Sequence, residues 1–180
     1  LVFPVIAAQQ SQPRHEMRAR LSPLRLKLLL VCAACLAFGI AFGDFAIRII
    51  YDSRYHAAGW MLPVMLAGVW GAILCSMNEY ALMGLGKPLY GAAGNLVKLL
   101  SLAIGIPVGL QMAGLSGAIL VVALSDSLRY LPVLIGQRRE QVSFLRQDLA
   151  VSLFMFTLLG LFTLLRAWAG YGTAFDGFLS

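Results

Sequence analysis

The sequence has little charge and few of the side chains that enzyme and metal sites require. Charged residues make up 12% of the 180 residues, whereas soluble proteins carry about 25%. Hydrophobic residues make up 60%, and the mean hydropathy is +0.82. A soluble fold of this length has too little interior to hide so much apolar surface, so most of the chain must face lipid.

The residues that usually carry chemistry are sparse and scattered. His15 and His56 stand apart from any cluster of cysteines or carboxylates, so the sequence predicts no metal site. Cys32 and Cys35 form a CxxC pair inside an apolar run, where a thiol behaves as a small hydrophobe. No serine or histidine has a base and an orienting partner at usable spacing. We therefore predict no catalytic residues, no cofactor and no enzymatic activity.

Long apolar windows dominate the rest of the chain. A helix needs about 20 residues to cross about 30 Å of hydrocarbon, and about five such windows occur. They cover residues 26–50, 60–85, 89–110, 115–135 and 149–165. Short turn-like links, such as Gly86-Lys87-Pro88, make consecutive spans antiparallel neighbours. The predicted fold class is all-α, a polytopic transmembrane helix bundle.

Lysine and arginine are distributed unequally between the two sides of this bundle. One side carries Arg14, Arg18, Arg20, Arg25, Lys27, Lys87, Arg138, Arg139 and Arg146. The other side carries Arg54 and Arg166, with Arg48 at the membrane edge. Because cytoplasmic loops are enriched in lysine and arginine, the first side is predicted to be cytoplasmic. The same bias accounts for the net charge of +6 without a nucleic-acid partner.

The predicted organisation follows from these spans and this orientation. Residues 1–8 are predicted to end a preceding transmembrane helix, 9–25 to form a basic cytoplasmic loop, and 26–136 to form a four-helix transmembrane part. Residues 137–147 are predicted to form a second basic cytoplasmic loop, and 148–180 an additional transmembrane helix with an external tail. Because residues 1–8 are apolar and lack a basic leader, we expect the polypeptide to continue upstream of Leu1.

Four ionisable residues lie inside the predicted spans, in the cytoplasmic half of the membrane. They are Glu79, Lys98, Asp126 and Arg129, and the helical rise of about 1.5 Å per residue gives them similar depth. Such groups are costly in lipid and usually face a protein interior or a water-filled cavity. In one interpretation they neutralise one another, with Asp126 paired to Arg129 on one helix face and Glu79 paired to Lys98 across a hairpin.

In the other interpretation the four residues line a polar cavity open to the cytoplasm. Lys98 and Arg129, with Asn95, are then candidates for binding an anionic head group, and Glu79 and Asp126 are counterions or ion-coupling carboxylates. Asn95 could equally serve as a helix–helix contact. At the outer end of the first span, Asp44 and Arg48 are four residues apart and predict a surface ion pair.

Two stretches resemble a known transporter family. Residues 50–60, IYDSRYHAAGW, resemble the external "lyd-x-rY-x-x-A" loop of bacterial oligosaccharide flippases, and residues 81–88, ALMGLGKP, resemble their "al-x-alG-[rk]-p" cytoplasmic turn. Phe3-Pro4 and the GLSGA stretch at 114–118 also match features of these flippases, in the same order and at similar spacing. Over residues 1–139 the chain is thus similar to the polysaccharide-transport family of Wzx-like O-antigen flippases. That family belongs to the multidrug/oligosaccharidyl-lipid/polysaccharide flippase superfamily.

The resemblance implies the C-terminal lobe of a flippase-type transporter. It implies movement of an undecaprenyl-diphosphate-linked oligosaccharide across the bacterial inner membrane by alternating access, during synthesis of cell-surface polysaccharide such as lipopolysaccharide. Coupling to H⁺ or Na⁺ is left open. The family's cavity is lined largely by the first helices of each lobe, and those helices are missing from this sequence.

Three other classes of function remain as alternatives. A multidrug/cation antiporter of the same superfamily would use Glu79 and Asp126 as coupling carboxylates. A membrane glycan polymerase or ligase would need a larger external loop than this sequence contains. A structural membrane subunit has no need for the buried charges.

Overall fold

The structure, a computed structural model, describes residues 14–50 and 58–172. Several sequence predictions therefore lie outside the described residues: the end of a preceding helix at 1–8, residues 51–57 of the flippase-like external loop, and the tail from residue 173 onward. The described part consists of α1 (Arg14–Ile50), α2 (Ala58–Gly84), α3 (Leu89–Arg139) and α4 (Leu145–Trp168), and it contains no strand. The predicted all-α fold class is confirmed.

All four helices are long and apolar enough to cross a membrane. They are hydrophobic around most of their circumference, as expected where lipid and not water surrounds the bundle. The chain is a multi-pass membrane protein.

Helix α3 folds back on itself. It has 51 residues, and a straight helix of that length would measure about 75 Å, more than twice the hydrocarbon thickness. The backbone leaves helical geometry at Ala113 and Gly114, and Gly114 takes the positive φ of 60° that favours glycine. On either side of this turn the arms 89–112 and 115–139 run antiparallel. The described ranges therefore contain five membrane-length helical segments, in the order that the sequence predicts.

The two arms of α3 approach each other most closely near the turn. Gly109 and Gly117 face each other there, and a Cβ atom on either residue would overlap the backbone of the other. One turn further from the hairpin, Gly105 lies against Val121. Close approach of this kind is the usual way in which helices pack in lipid, where no hydrophobic effect drives them together.

Helix α1 begins at Arg14, well before the predicted start of the first span. The segment up to Arg25, predicted as part of a loop, is therefore helical from Arg14 onward. Leu21 explains the extension, since it packs in a buried cluster with Val142 and Phe144 of the link between α3 and α4. The second predicted loop is also shorter, because α3 continues to Arg139 and α4 begins at Leu145.

The centre of the bundle is apolar. Helix α1 packs against both α2 and α4, and α2 packs against α3. The main buried cluster joins α1, α2 and α4 through Leu29, Ala33, Ala37, Trp70, Val151 and Met155. Where α2 ends and α3 begins, a tight turn contains Gly86 at a φ of 72°, as the glycine–lysine–proline breaker predicts.

One end of the bundle is rich in exposed cations and is called the basic end below. Helices α1 and α4 begin there, α2 ends there, and α3 both begins and ends there. Its exposed cations are Arg18, Arg20, Lys27, Lys87, Arg138, Arg139 and Arg146. This is the end that the lysine and arginine bias predicts to be cytoplasmic.

Candidate functional site

The four ionisable residues predicted at similar depth do meet in the structure. Lys98 Nζ donates to both carboxylate oxygens of Asp126, at 2.9 and 2.8 Å. Arg129 donates through Nη2 to Glu79 Oε2, and its Nη1 lies 3.7 Å from Asp126 Oδ1. Positive and negative groups alternate in the order Lys98, Asp126, Arg129, Glu79, and we call this arrangement the ion chain. It joins both arms of α3 to α2.

The pairing within the ion chain differs in part from the prediction. The predicted contact between Asp126 and Arg129 is confirmed at 3.7 Å. The predicted pair of Glu79 with Lys98 is wrong, because Glu79 binds Arg129 and Lys98 binds Asp126. The reason is depth along the arm: the Glu79 side chain packs directly against Gly91, and Lys98 lies about 10 Å further along α3.

The members of the ion chain differ in exposure. The Lys98 side chain is 33% exposed, whereas Asp126, Arg129 and Glu79 are 15%, 17% and 14% exposed. Lys98 is therefore the end of the chain that a ligand reaches most easily. Arg129 Nε is buried without a hydrogen-bond partner, so this guanidinium retains one unused donor.

Asn95 does not join the ion chain. It lies one turn before Lys98 on the first arm of α3, where its side chain is exposed, and it makes no hydrogen bond to another described residue. No contact in the described part of the chain supports the prediction that Asn95 lines a cavity with the ion chain.

A second polar cluster, which the sequence analysis missed, lies near the basic end. Asp148, at the start of α4, pairs with Arg25 of α1 and accepts hydrogen bonds from Asn78 Nδ2 at 2.7 Å and Tyr130 OH at 2.6 Å. Asn78 Oδ1 accepts from Arg25 Nη2 at 3.0 Å and from Gln137 Nε2 at 2.6 Å. We call these five residues the polar hub, and they come from all four helices.

Two of the hub residues correct the sequence interpretation. The sequence predicts Arg25 in a cytoplasmic loop, yet it is buried in the bundle at 5% exposure, and so is its partner Asp148, at 2%. Asn78 and Gln137 are also fully buried. A usable signal was present, because Asn78 is a polar amide inside a span and must find partners there.

A buried ion pair lies at the opposite end of the described bundle. Both carboxylate oxygens of Asp44 accept from the guanidinium of Arg166, at 2.6 Å each. The same guanidinium lies 4.3 Å from the centre of the Phe45 ring. The prediction that Asp44 lies at the surface is therefore wrong, since its carboxylate is enclosed between α1 and α4. Its predicted pairing with Arg48 is not tested. The Arg48 side chain lies outside the described part.

An apolar cavity of about 410 Å³ lies between α2, the second arm of α3 and α4. Trp70, Ser127, Tyr130 and Ser152 supply its polar atoms, and Trp70 Nε1 donates to Ser152 Oγ at 2.9 Å. Because Tyr130 belongs to both the cavity and the polar hub, the cavity lies beside the hub. Its size falls within the usual range of small-molecule pockets, about 300–1,000 Å³.

Within the described ranges, no group of three or more histidine, cysteine, aspartate or glutamate side chains could hold a metal ion. Comparisons of the chain with protein-family models, curated proteins and solved structures found no match. Among the described residues, the ion chain, the polar hub and the Asp44–Arg166 pair are the polar clusters that lie within the bundle.

Proposed function

We propose that this chain is part of a transporter that moves a lipid-linked oligosaccharide across a membrane, and that the ion chain binds the anionic diphosphate of that lipid. The observation that carries the proposal is the position of Lys98. Its ammonium lies between the two arms of the apolar α3 hairpin and is the most exposed member of the ion chain. Along its arm, Lys98 lies closer to the basic end than to the turn at Gly114. The resemblance of residues 50–60 and 81–88 to oligosaccharide flippases points to the same class of cargo.

The cost of the ion chain supports a functional role. Buried ion pairs contribute little net stability, because removing two charges from water costs about as much as their attraction returns. Apolar side chains of similar volume would pack these helices at least as well in lipid. Ionisable groups within membrane spans are accordingly found mostly along substrate and ion pathways.

The geometry also supplies a way to release Lys98 for a ligand. Asp126 holds the ammonium now, but Arg129 Nη1 is only 3.7 Å from the same carboxylate. When an anion binds Lys98, Asp126 can close this gap and keep an ionic partner in Arg129. Arg129 Nη1 can then donate to the Asp126 carboxylate while Nη2 keeps its hydrogen bond to Glu79. Binding of an anion is thereby linked to the packing of α3 against α2.

The test is surface-polysaccharide export in cells that carry the full-length protein. Lys98→Gln and Arg129→Gln should each lower export about tenfold or more, the usual effect of losing a charged hydrogen bond. Lys87→Gln is the matched control, because Lys87 begins the same hairpin but is 50% exposed and pairs only with Glu140 at 3.4 Å. Full export by both the Lys98 and Arg129 variants would remove the ion chain from substrate binding.

A multidrug/cation antiporter is the second candidate, and the carboxylates of Glu79 and Asp126 favour it. Both lie within membrane spans, where such groups often couple transport to an ion. Deleting the gene distinguishes the two candidate functions. A glycan defect without drug sensitivity supports the flippase, whereas drug sensitivity with normal surface glycan supports the antiporter.

A further inference from the structure

Three helical segments present continuous apolar stripes on the outside of the bundle. On α1 the stripe contains Val31, Cys35 and Phe38; on the second arm of α3, Leu124, Leu128, Leu131 and Ile135; on α4, Leu149, Leu153 and Phe156. These residues recur at intervals of three and four, so each set occupies one face of its helix. All of them are exposed, which is the pattern expected of surfaces that contact lipid tails.

Each stripe ends in an exposed cation at the basic end. Lys27 lies one turn before Val31, Arg146 one turn before Leu149, and Arg139 one turn after Ile135. The spacing places every cation on the same helical face as its stripe. A side chain at such a position carries its charge at the level of the lipid head groups while the apolar residues lie beside the tails.

These cations are not neutralised by neighbouring carboxylates in the described part of the chain. Two carboxylates near the basic end have side chains that the structure describes: Asp148 is buried against Arg25, and Glu140 lies beside Lys87 at 3.4 Å. Lys27, Arg139 and Arg146 have no ion pair with a described residue. Their positive potential is therefore directed outward, toward the membrane surface.

The opposite ends of the same helices are different. The α1 stripe leads to exposed Ile49, and α4 ends near exposed Leu164 and Trp168. The hairpin turn of α3 exposes Met112. The described cation at that end, Arg166, is buried against Asp44. Among the cations whose side chains the structure describes, those that are exposed and unpaired all lie at the basic end.

We propose that Lys27, Arg139 and Arg146 form binding positions for anionic phospholipids in the leaflet at the basic end. Each phosphate contacts one of these cations, and the acyl chain lies along the apolar stripe on the same helix face. The lysine and arginine bias predicts that this is the cytoplasmic leaflet. Near an anionic membrane surface, each lysine or arginine increases the binding constant about fivefold. The proposal does not depend on what the protein transports.

The experiment measures which lipids remain bound to the purified full-length protein. The protein is reconstituted in bilayers of equal parts phosphatidylglycerol and phosphatidylcholine, extracted gently, and its retained lipids are counted by native mass spectrometry. We expect phosphatidylglycerol to be enriched several-fold over phosphatidylcholine, and the enrichment to fall in high salt. Equal retention of the two lipids by the wild-type protein would overturn the proposal.

Matched double variants locate the effect. The double variant Lys27→Gln/Arg146→Gln removes two cations at stripe ends. The double variant Arg18→Gln/Arg20→Gln removes two exposed cations nearer the start of α1, outside the stripe. We expect the first pair to lower the enrichment several-fold and the second to leave it nearly unchanged. Equal losses from both pairs would mean that diffuse charge, and not the stripe ends, attracts the lipid. No loss from the first pair would overturn the assignment of the lipid phosphates to these cations.

Discussion

Asp44 and Arg166 join α1 to α4 through two hydrogen bonds of 2.6 Å, in a position that neither solvent nor lipid reaches. At the other end of the same two helices, Arg25 pairs with Asp148. Along α1 the cation comes first and the carboxylate second, and along α4 the order is reversed. Only a parallel arrangement brings opposite charges together at both ends, so these residues define both the direction and the register of α4 against α1.

Breaking the Asp44–Arg166 pair should destabilise the protein strongly. Asp44→Leu leaves the guanidinium of Arg166 buried without its partner, which typically costs about 3–5 kcal/mol. Combining it with Arg166→Leu should restore most of the loss, because neither charge then remains. The measurement is the free energy of unfolding of the full-length protein in detergent. Glu140→Gln is the control, since its exposed pair with Lys87 is worth at most about 1 kcal/mol. If Asp44→Leu were as mild as the control, the pair would not hold α4 in place.

The glycines of α3 and α4 should respond to the same substitution in opposite ways. Gly117→Ala places a methyl group into the backbone of Gly109 and should force the arms apart, at a cost of about 1–3 kcal/mol, the usual effect of overpacking. Gly160→Ala meets no atom within 4 Å and should stabilise α4 by up to about 1 kcal/mol. Thermal unfolding of both variants provides the comparison. A neutral Gly117 variant would show that the arms do not pack this closely.

Neutralising Asp126 should increase the affinity of the ion chain for an anion. Asp126→Asn removes the carboxylate that holds Lys98, so the ammonium becomes available to a ligand. We expect geranyl diphosphate, used as a probe, to bind the full-length Asp126→Asn protein several-fold more tightly than the wild type. Lys98→Gln should abolish this binding, and the effect should weaken in high salt. Weaker binding by the Asp126→Asn variant would contradict the proposal that Lys98 leaves Asp126 to bind an anion. That result would not bear on whether the protein is a flippase.

The sequence predicted most of the fold because apolar length and short links are local properties. The five segments and the breaker at Gly86 were predictable in this way. The partners of Asp44 could not be predicted, because Arg166 lies 122 residues away and depends on how α4 docks. The choice of Arg129 over Lys98 as partner of Glu79 depends on the offset between α2 and α3, which no local pattern records.

The polar hub was missed for a different reason. Counting lysine and arginine by side treats every cation near a span end as part of a loop, so Arg25 was assigned to solvent. Its burial depends on Asp148 and Asn78, which belong to other helices. The depth estimated from the helical rise predicted that the four residues of the ion chain lie close together. It did not predict which of them form pairs.

The most direct test of the proposed function is lipid flipping by the purified full-length protein. A polyprenyl-diphosphate saccharide with a fluorescent label is incorporated into proteoliposomes, and an external quencher reports the fraction that reaches the outer leaflet. We expect the wild-type protein and Lys87→Gln to move the lipid, and Lys98→Gln to slow it about tenfold or more. A wild-type protein that moves none of this lipid, or a Lys98→Gln variant that moves it at the wild-type rate, would contradict the proposal that the ion chain handles the diphosphate.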